Sequence, residues 1–310
     1  MPAGQGQRGH AIANLLVVVD DALSIPYLME KAERLADGQT RVHVVHVIYE
    51  GVAEISTSAI EDSARLKTFI LQSAEAQLED QLEKVRGRFR HLESATLWNA
   101  RTWEGALHAA KDAAADLILR ASGEQGSLGE RVASVVRTPD EWNLLRHAEV
   151  PVMLARAASW PEEPVVLGAL DVFDDSHESL NRNVLLQAAG LAKRIGGELD
   201  VVYAYPLFEP WVGELGAIKS YAEIKAAVEE DARLRMDELA RATGVSYRHL
   251  LLEEGQTAPV LARIAEECEA ALLVVGTHAR EGVRGVLLGN TSERILHAVD
   301  CDVVTVHAAP

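Results

Sequence analysis

The chain has 310 residues, room for about two domains at ~100–200 residues each, and its 48% apolar and 25% charged residues exclude a disordered chain. A net charge of −17 at pH 7 argues against partnership with nucleic acid or an anionic membrane, both of which attract basic surfaces. Cys268 and Cys301 form no CxxC and no Cys/His cluster, which excludes a disulfide scaffold and a recognisable zinc site; no apolar run approaches the ~20 residues of a membrane span, so the expectation is a protein of the reducing cytoplasm without membrane insertion.

In chain order, short β-branched runs over residues 15–19 and 42–47 read as strands buried on both faces. A helical pattern runs from about residue 63 to 88, with Leu66, Phe69, Ile70, Leu78, Leu82 and Val85 on roughly one face. Residues 94–97 supply another strand, 105–115 an alanine-rich helix, and 117–119 a strand of weaker composition. At Thr138-Pro139-Asp140-Glu141 a helix starts: Thr138 caps it, Pro139 suits the first helical position, and Glu141 completes a capping box. Residues 150–154 close the half as a strand, and residues 157–164, with Pro161, Glu162, Glu163 and Pro164, read as a linker.

The second half repeats this order. Strands are expected over 165–170, 199–204, 249–252, 272–275 and 303–306, and helices over 181–194, 223–242, 259–267 and from about Thr291. The helix over 223–242 carries Ile224, Val228, Met236 and Leu239 on its apolar side. Val150-Pro151-Val152-Met153-Leu154 aligns with Cys301-Asp302-Val303-Val304-Thr305, and Leu117-Ile118-Leu119 with Leu272-Leu273-Val274, so a whole domain is duplicated. Alternating strands and helices predict an α/β fold of two Rossmann-like domains, residues 11–157 and 158–310. Each is expected to be a mostly parallel five-stranded sheet with helices on both faces.

The chemistry gathers in Val274-Val275-Gly276-Thr277-His278-Ala279 and, further along the same connection, in Leu287-Leu288-Gly289-Asn290-Thr291-Ser292-Glu293. A strand ending at Gly276, a Gly-rich loop and then a helix start suit phosphate. Glycine lets backbone approach the ligand, and the first N–H groups of a helix lack intrahelical partners. Thr291 and Ser292 add hydroxyl donors, and His278 and Arg280 are the charged groups within reach of a triphosphate. Asn290 with Glu293 is also a capping box, which starts a helix with or without a ligand.

This stretch resembles the nucleotide loop of the universal stress proteins: Gly, two residues, Gly, nine residues, then Gly followed by Ser, Thr or Asn. Gly276, Ala279 and Gly289-Asn290 meet that spacing, with alanine in place of the second glycine. The stretch from Leu287 to His297, followed by Cys301-Asp302-Val303-Val304, is similar to the family's C-terminal block. The resemblance implies an adenine nucleotide alpha hydrolase-like fold and ATP, with Mg, in the second domain. It places Asp171 near the adenine and ribose, Ala204 against the adenine, and Gly276, Ala279, Gly289 and Asn290 about the phosphates, where the residues' own chemistry adds His278, Thr291 and Ser292. In the first half Arg137-Thr138-Pro139-Asp140-Glu141-Trp142 stands where the second has its loop, although Asp20 and Asp21 keep the acidic end of the first strand. Proline has no N–H to offer and two carboxylates already sit on the helix dipole, so no cofactor is expected there. This asymmetry resembles the E type of tandem universal stress protein, which implies a cytoplasmic stress-response protein.

No GxSxG, HExxH or motif-placed carboxylate pair marks a catalyst, which leaves slow ATP hydrolysis as the only enzymatic reading. Three functions stay open: a nucleotide-responsive stress protein, a nucleotide-free interaction scaffold, and a binder of an apolar or acyl ligand between the domains. Each half ends in an apolar strand whose edge needs covering. The halves are therefore expected to pair as an intramolecular pseudo-dimer, as separate universal stress proteins do, with a homodimer also open.

Overall fold

The computed structural model describes residues 12–50, 60–122, 139–205, 217–277 and 290–307. Among these the chain divides into two compact units, residues 12–160 and 161–307.

The first unit holds strands β1 (Asn14–Val19), β2 (Arg41–Ile48), β3 (His91–Trp98), β4 (Leu117–Ala121) and β5 (Val152–Ala155). They lie in the order β3-β2-β1-β4-β5, and every described pairing is parallel. The wholly apolar runs take the inner places: Leu15, Leu16 and Val17 of β1 and Ile118 and Leu119 of β4 have no exposure. The carboxylate of Asp116 accepts the N–H groups of Ala13 and Asn14 at 2.7 and 2.9 Å, tying the start of β1 to that of β4.

The helices of this unit are α1 (Ile25–Leu35), α2 (Ile60–Glu83), α3 (Thr102–Asp112) and α4 (Pro139–His147). Between the first two strands the sequence reading has no helix, yet α1 stands there and buries Ile25, Leu28, Met29, Ala32 and Leu35. Its Lys31 is buried too, with the ammonium 5.0 Å from the centre of the Trp160 ring, and Arg34 donates to the Trp160 carbonyl at 3.1 Å. Trp160, in the stretch read as linker, thus packs with the first unit. α2 corrects the expected apolar face. Leu78 and Leu82 are buried, but Leu66 is 39% and Phe69 69% exposed, so the apolar period runs on beyond the part of the helix that meets the core.

The second unit holds β6 (Val165–Ala169), β7 (Glu198–Tyr205), β8 (Leu250–Glu254), β9 (Ala270–Thr277) and β10 (Asp302–His307), in the order β8-β7-β6-β9-β10, again parallel. Its helices are α5 (Glu178–Ile195), α6 (Ala217–Thr243), α7 (Thr257–Glu267) and α8 (Asn290–Ala298). α5 ends where Gly196 takes φ +70° and returns its N–H to the Ala192 carbonyl, a left-handed stop that glycine adopts without strain. Helices cover both faces of the sheet. α5 packs on β6, β7 and β9 and touches α6, whereas α7 packs on β7 and β9 and against α8. In α6 Ala232 and Met236 are buried while Ile224 is 41% exposed, so here too only part of the expected face is core.

Candidate functional site

In an open α/β sheet ligands bind outside the carboxyl ends of the strands. In the second domain Asp171 stands there, just after β6. Buried Asn181 of α5 brackets its backbone: Oδ1 accepts the Asp171 N–H at 2.9 Å, and Nδ2 donates to the Asp171 carbonyl at 2.6 Å. The carboxylate is left half exposed, 3.4 Å from His177 Nδ1, while His177 Nε2 lies 3.3 Å from Asp174. Ala204 is the penultimate residue of β7, in register with Glu253 of β8. Glu253 reaches Arg263 of α7 at 2.7 Å, so Ala204 also looks to the α7 face.

Gly276 lies inside β9, paired with Val306, and the strand runs on to Thr277. A Cβ at Gly276 would meet Leu180 of α5 at 2.6 Å. Close packing of α5 on β9 therefore favours glycine here unless Leu180 shifts, a cause that loop spacing does not reveal. Gly276→Ala is expected to lower stability by about 1–3 kcal/mol through overpacking, and Leu180→Val in the same chain to recover part of it. Thermal unfolding checks this; a single variant as stable as the wild type contradicts it.

α8 opens at Asn290, so Asn290, Thr291 and Ser292 form its first turn, with Glu293 beside them. The N–H groups of such a turn have no partner within the helix. His278, Ala279 and Gly289 lie outside the described residues, as does Thr138 of the first half. What the structure places at the carboxyl edge is Asp171, Ala204 and Gly276, with Asn290 at the start of the helix that follows β9.

The first domain answers Asp171 with Asp20, and there the carboxylate is taken. Arg120 of β4 grips it with Nε and Nη2 at 2.7 and 3.0 Å, and the arginine side chain is only 6% exposed. Its Nη1 is buried without a hydrogen-bond partner among the described residues. Arg120 pairs with Val18 as Val275 pairs with Ala169, so a cation occupies a place that is apolar in the second domain. Sequence reasoning passed over it; the signal was one charge inside the apolar run Leu117-Ile118-Leu119-Arg120-Ala121.

Nearby, burial pushes His46 below the ordinary 6.5, against the attraction of Asp20. A lowered folded pKa favours the neutral ring in the folded chain. The stability this lends is complete above pH ~6.5 and is lost as pH falls through the lower folded value. His46→Gln is expected to lose less stability than the wild type between pH 7 and pH 5 in thermal unfolding. Equal losses contradict the assignment.

The model of the universal stress protein family matches residues 12–156 and again residues 169–307. The chain belongs to the universal stress protein family. Two matches along one chain make it a tandem universal stress protein. It is 23% identical over 308 residues to the universal stress protein E homolog of Haemophilus influenzae, spanning 94% of this chain and 96% of that one. To universal stress protein E of Escherichia coli K12 it is 24% identical over 303 residues, spanning 94% and 93%. A solved universal stress protein from Archaeoglobus fulgidus superposes with a TM-score of 0.65 at 18% identity, covering 97% of this chain and 100% of that one. A functionally unknown protein from Pseudomonas aeruginosa PAO1 gives 0.70 at 22%, covering 97% and 94%. These likenesses show the fold, and family membership supports a stress-response role. The similar proteins are named as stress proteins and not as enzymes. No described helix of this universal stress protein is long and apolar enough to cross a membrane. Among the described residues no cluster of three His, Cys, Asp or Glu is placed to hold a metal.

Proposed function

We propose that this tandem universal stress protein is a nucleotide-responsive member of the stress response, with ATP held by the second domain alone. The observation that carries the reading is the spacing Gly276, Ala279, Gly289-Asn290 across the connection from β9 to α8. The residues present fit an adenine nucleotide. Asp171 keeps a half-exposed carboxylate on a backbone clamped by Asn181, which suits a ribose hydroxyl. Ala204 is small enough to leave room for a flat base. The first-turn N–H groups of α8, the hydroxyls of Thr291 and Ser292, and His278 would hold phosphates, with Ala279 at the loop's closest approach. Magnesium would arrive on the phosphates. When bound, the nucleotide supplies a dense negative charge at this edge; the chain's part is to orient it and to present a surface that a partner can read.

The first domain serves as the nucleotide-free copy, structural or regulatory. The Arg120 grip on Asp20 and Pro139 at the start of α4 support that assignment. Cys268 and Cys301 are not joined in a disulfide, which suits the reducing cytoplasm.

Ala279 provides the test. Where the family pattern has glycine its methyl group would crowd a phosphate, and a positive φ there would add strain. In calorimetric titration with ATP at equal magnesium, one site per chain is expected. Ala279→Gly is expected to bind up to about tenfold tighter, or roughly 1.4 kcal/mol. No binding by either protein would replace this reading with the nucleotide-free scaffold.

A further inference from the structure

On the face of β7 turned away from Ala204, the second domain holds a half-open cavity of about 260 Å³ that neither Asp171, Ala204 nor Gly276 lines. Its wall is a row of rings. Phe173, which follows β6, lies 5.4 Å from Tyr203, and Tyr203 lies 6.1 Å from Tyr205. Tyr221 of α6 adds a fourth ring, and Ile224 and Val228 complete the helical side. Strand alternation turns Tyr203 and Tyr205 away from Ala204, while Asp171 lies near enough to act on the Tyr203 hydroxyl. Tyr205 Oη donates to Glu229 of α6 at 2.8 Å, and Glu254, in register with Tyr205, faces Lys225 of α6 at 3.3 Å.

The charges around the cavity are matched within its own wall. Glu254 accepts the Tyr221 hydroxyl through one oxygen and faces Lys225 through the other. Arg235, 5.1 Å above the Phe173 ring, is bound to Asp231 and Asp175. Among the described residues no unmatched charge is left to select an ion. One polar group does stay open. The Tyr203 hydroxyl has no hydrogen-bond partner among the described residues, although the residue is 5% exposed. Burial first, then Asp171, pushes its pKa up to about 12, so it remains a donor at physiological pH. Its oxygen is not sealed from solvent, so an acceptor on a ligand would take the place of water on this donor.

We propose that this cavity binds a small, uncharged, flat ring compound with a hydrogen-bond acceptor on its edge, independently of the nucleotide. Aromatic walls favour stacked or edge-on rings. The volume falls below the roughly 300–1,000 Å³ of pockets for drug-sized ligands, which points to one or two fused rings. The duplicated domain fills the same place differently. There Trp98 holds the register position of Glu254, opposite Ile48. Tyr49 meets that indole edge-on at 5.7 Å, and the ammonium of Lys67 from α2 lies 4.9 Å from its centre.

The test uses the full chain with 7-methoxycoumarin, which carries a ring carbonyl, against naphthalene, which has no acceptor, and decanol, which has no ring. Equilibrium dialysis is expected to find one coumarin site per chain, unaffected by ATP, with decanol binding more weakly. Ile224→Trp, at the exposed mouth, fills the cavity and is expected to weaken coumarin tenfold or more while thermal unfolding stays unchanged. Tyr203→Phe keeps the shape and removes the donor. It is expected to weaken coumarin about fivefold to tenfold and to leave naphthalene within about twofold. Coumarin binding that is absent, displaced by ATP, matched by decanol, or insensitive to both substitutions overturns the proposal.

Discussion

Gly289→Asp is expected to weaken ATP binding by at least about 100-fold and to leave the second domain folded. Gly289 immediately precedes α8, where a helix start welcomes aspartate because the carboxylate accepts first-turn N–H groups. The substitution therefore favours the helix while placing negative charge where a phosphate would sit. Like charges ~4 Å apart at a protein surface repel by about 4 kcal/mol, and about 2.7 kcal/mol already amounts to 100-fold. Gly289→Asn supplies the cap without the charge and is expected to lose far less affinity. Calorimetry with circular dichroism separates the two. Equal losses for Asp and Asn would mean that backbone geometry, and not charge, governs the loop.

The largest stability effect is expected at the Asp20–Arg120 pair, and it is asymmetric. Asp20→Ala leaves a guanidinium that is 6% exposed without its counter-charge, which costs about 3–5 kcal/mol in comparable buried pairs. Arg120→Met removes the buried charge together with its unpartnered Nη1, and leaves Asp20, 32% exposed, to be hydrated; a loss of about 1 kcal/mol or less is expected. The double variant should fall near Arg120→Met and not near the sum. Urea unfolding followed at the first domain's transition checks the order. Similar losses for both single variants would show that the pair is solvated.

Much of this fold was legible because parallel strands buried on both faces are continuous apolar runs, and because the repeat aligned them twice. The inner strands β1, β4, β6 and β9 all stand close to their expected places. α1 escaped notice although Ile25, Leu28, Met29, Ala32 and Leu35 have helical spacing, since Lys31 and Arg34 interrupt the apolar pattern and pack on Trp160, far along the chain. The long helices were misjudged for another reason. Periodicity tells which face of a helix is apolar, but not how far along its length a core reaches, so Phe69 and Ile224 are exposed. At the site the spacing was readable while the packing was not: Leu180 of α5 sits where a Cβ at Gly276 would go. The aromatic cavity was invisible because Phe173, Tyr203, Tyr205 and Tyr221 come from three separate segments.

Amide hydrogen exchange of the full chain, with and without saturating ATP and magnesium, bears most directly on the central claim of one nucleotide site confined to the second domain. Slower exchange is expected in peptides containing Asp171, Ala204 and residues 276–293, with peptides over residues 120–141 unchanged. Protection over residues 120–141, or no protection anywhere at a saturating concentration, would contradict it.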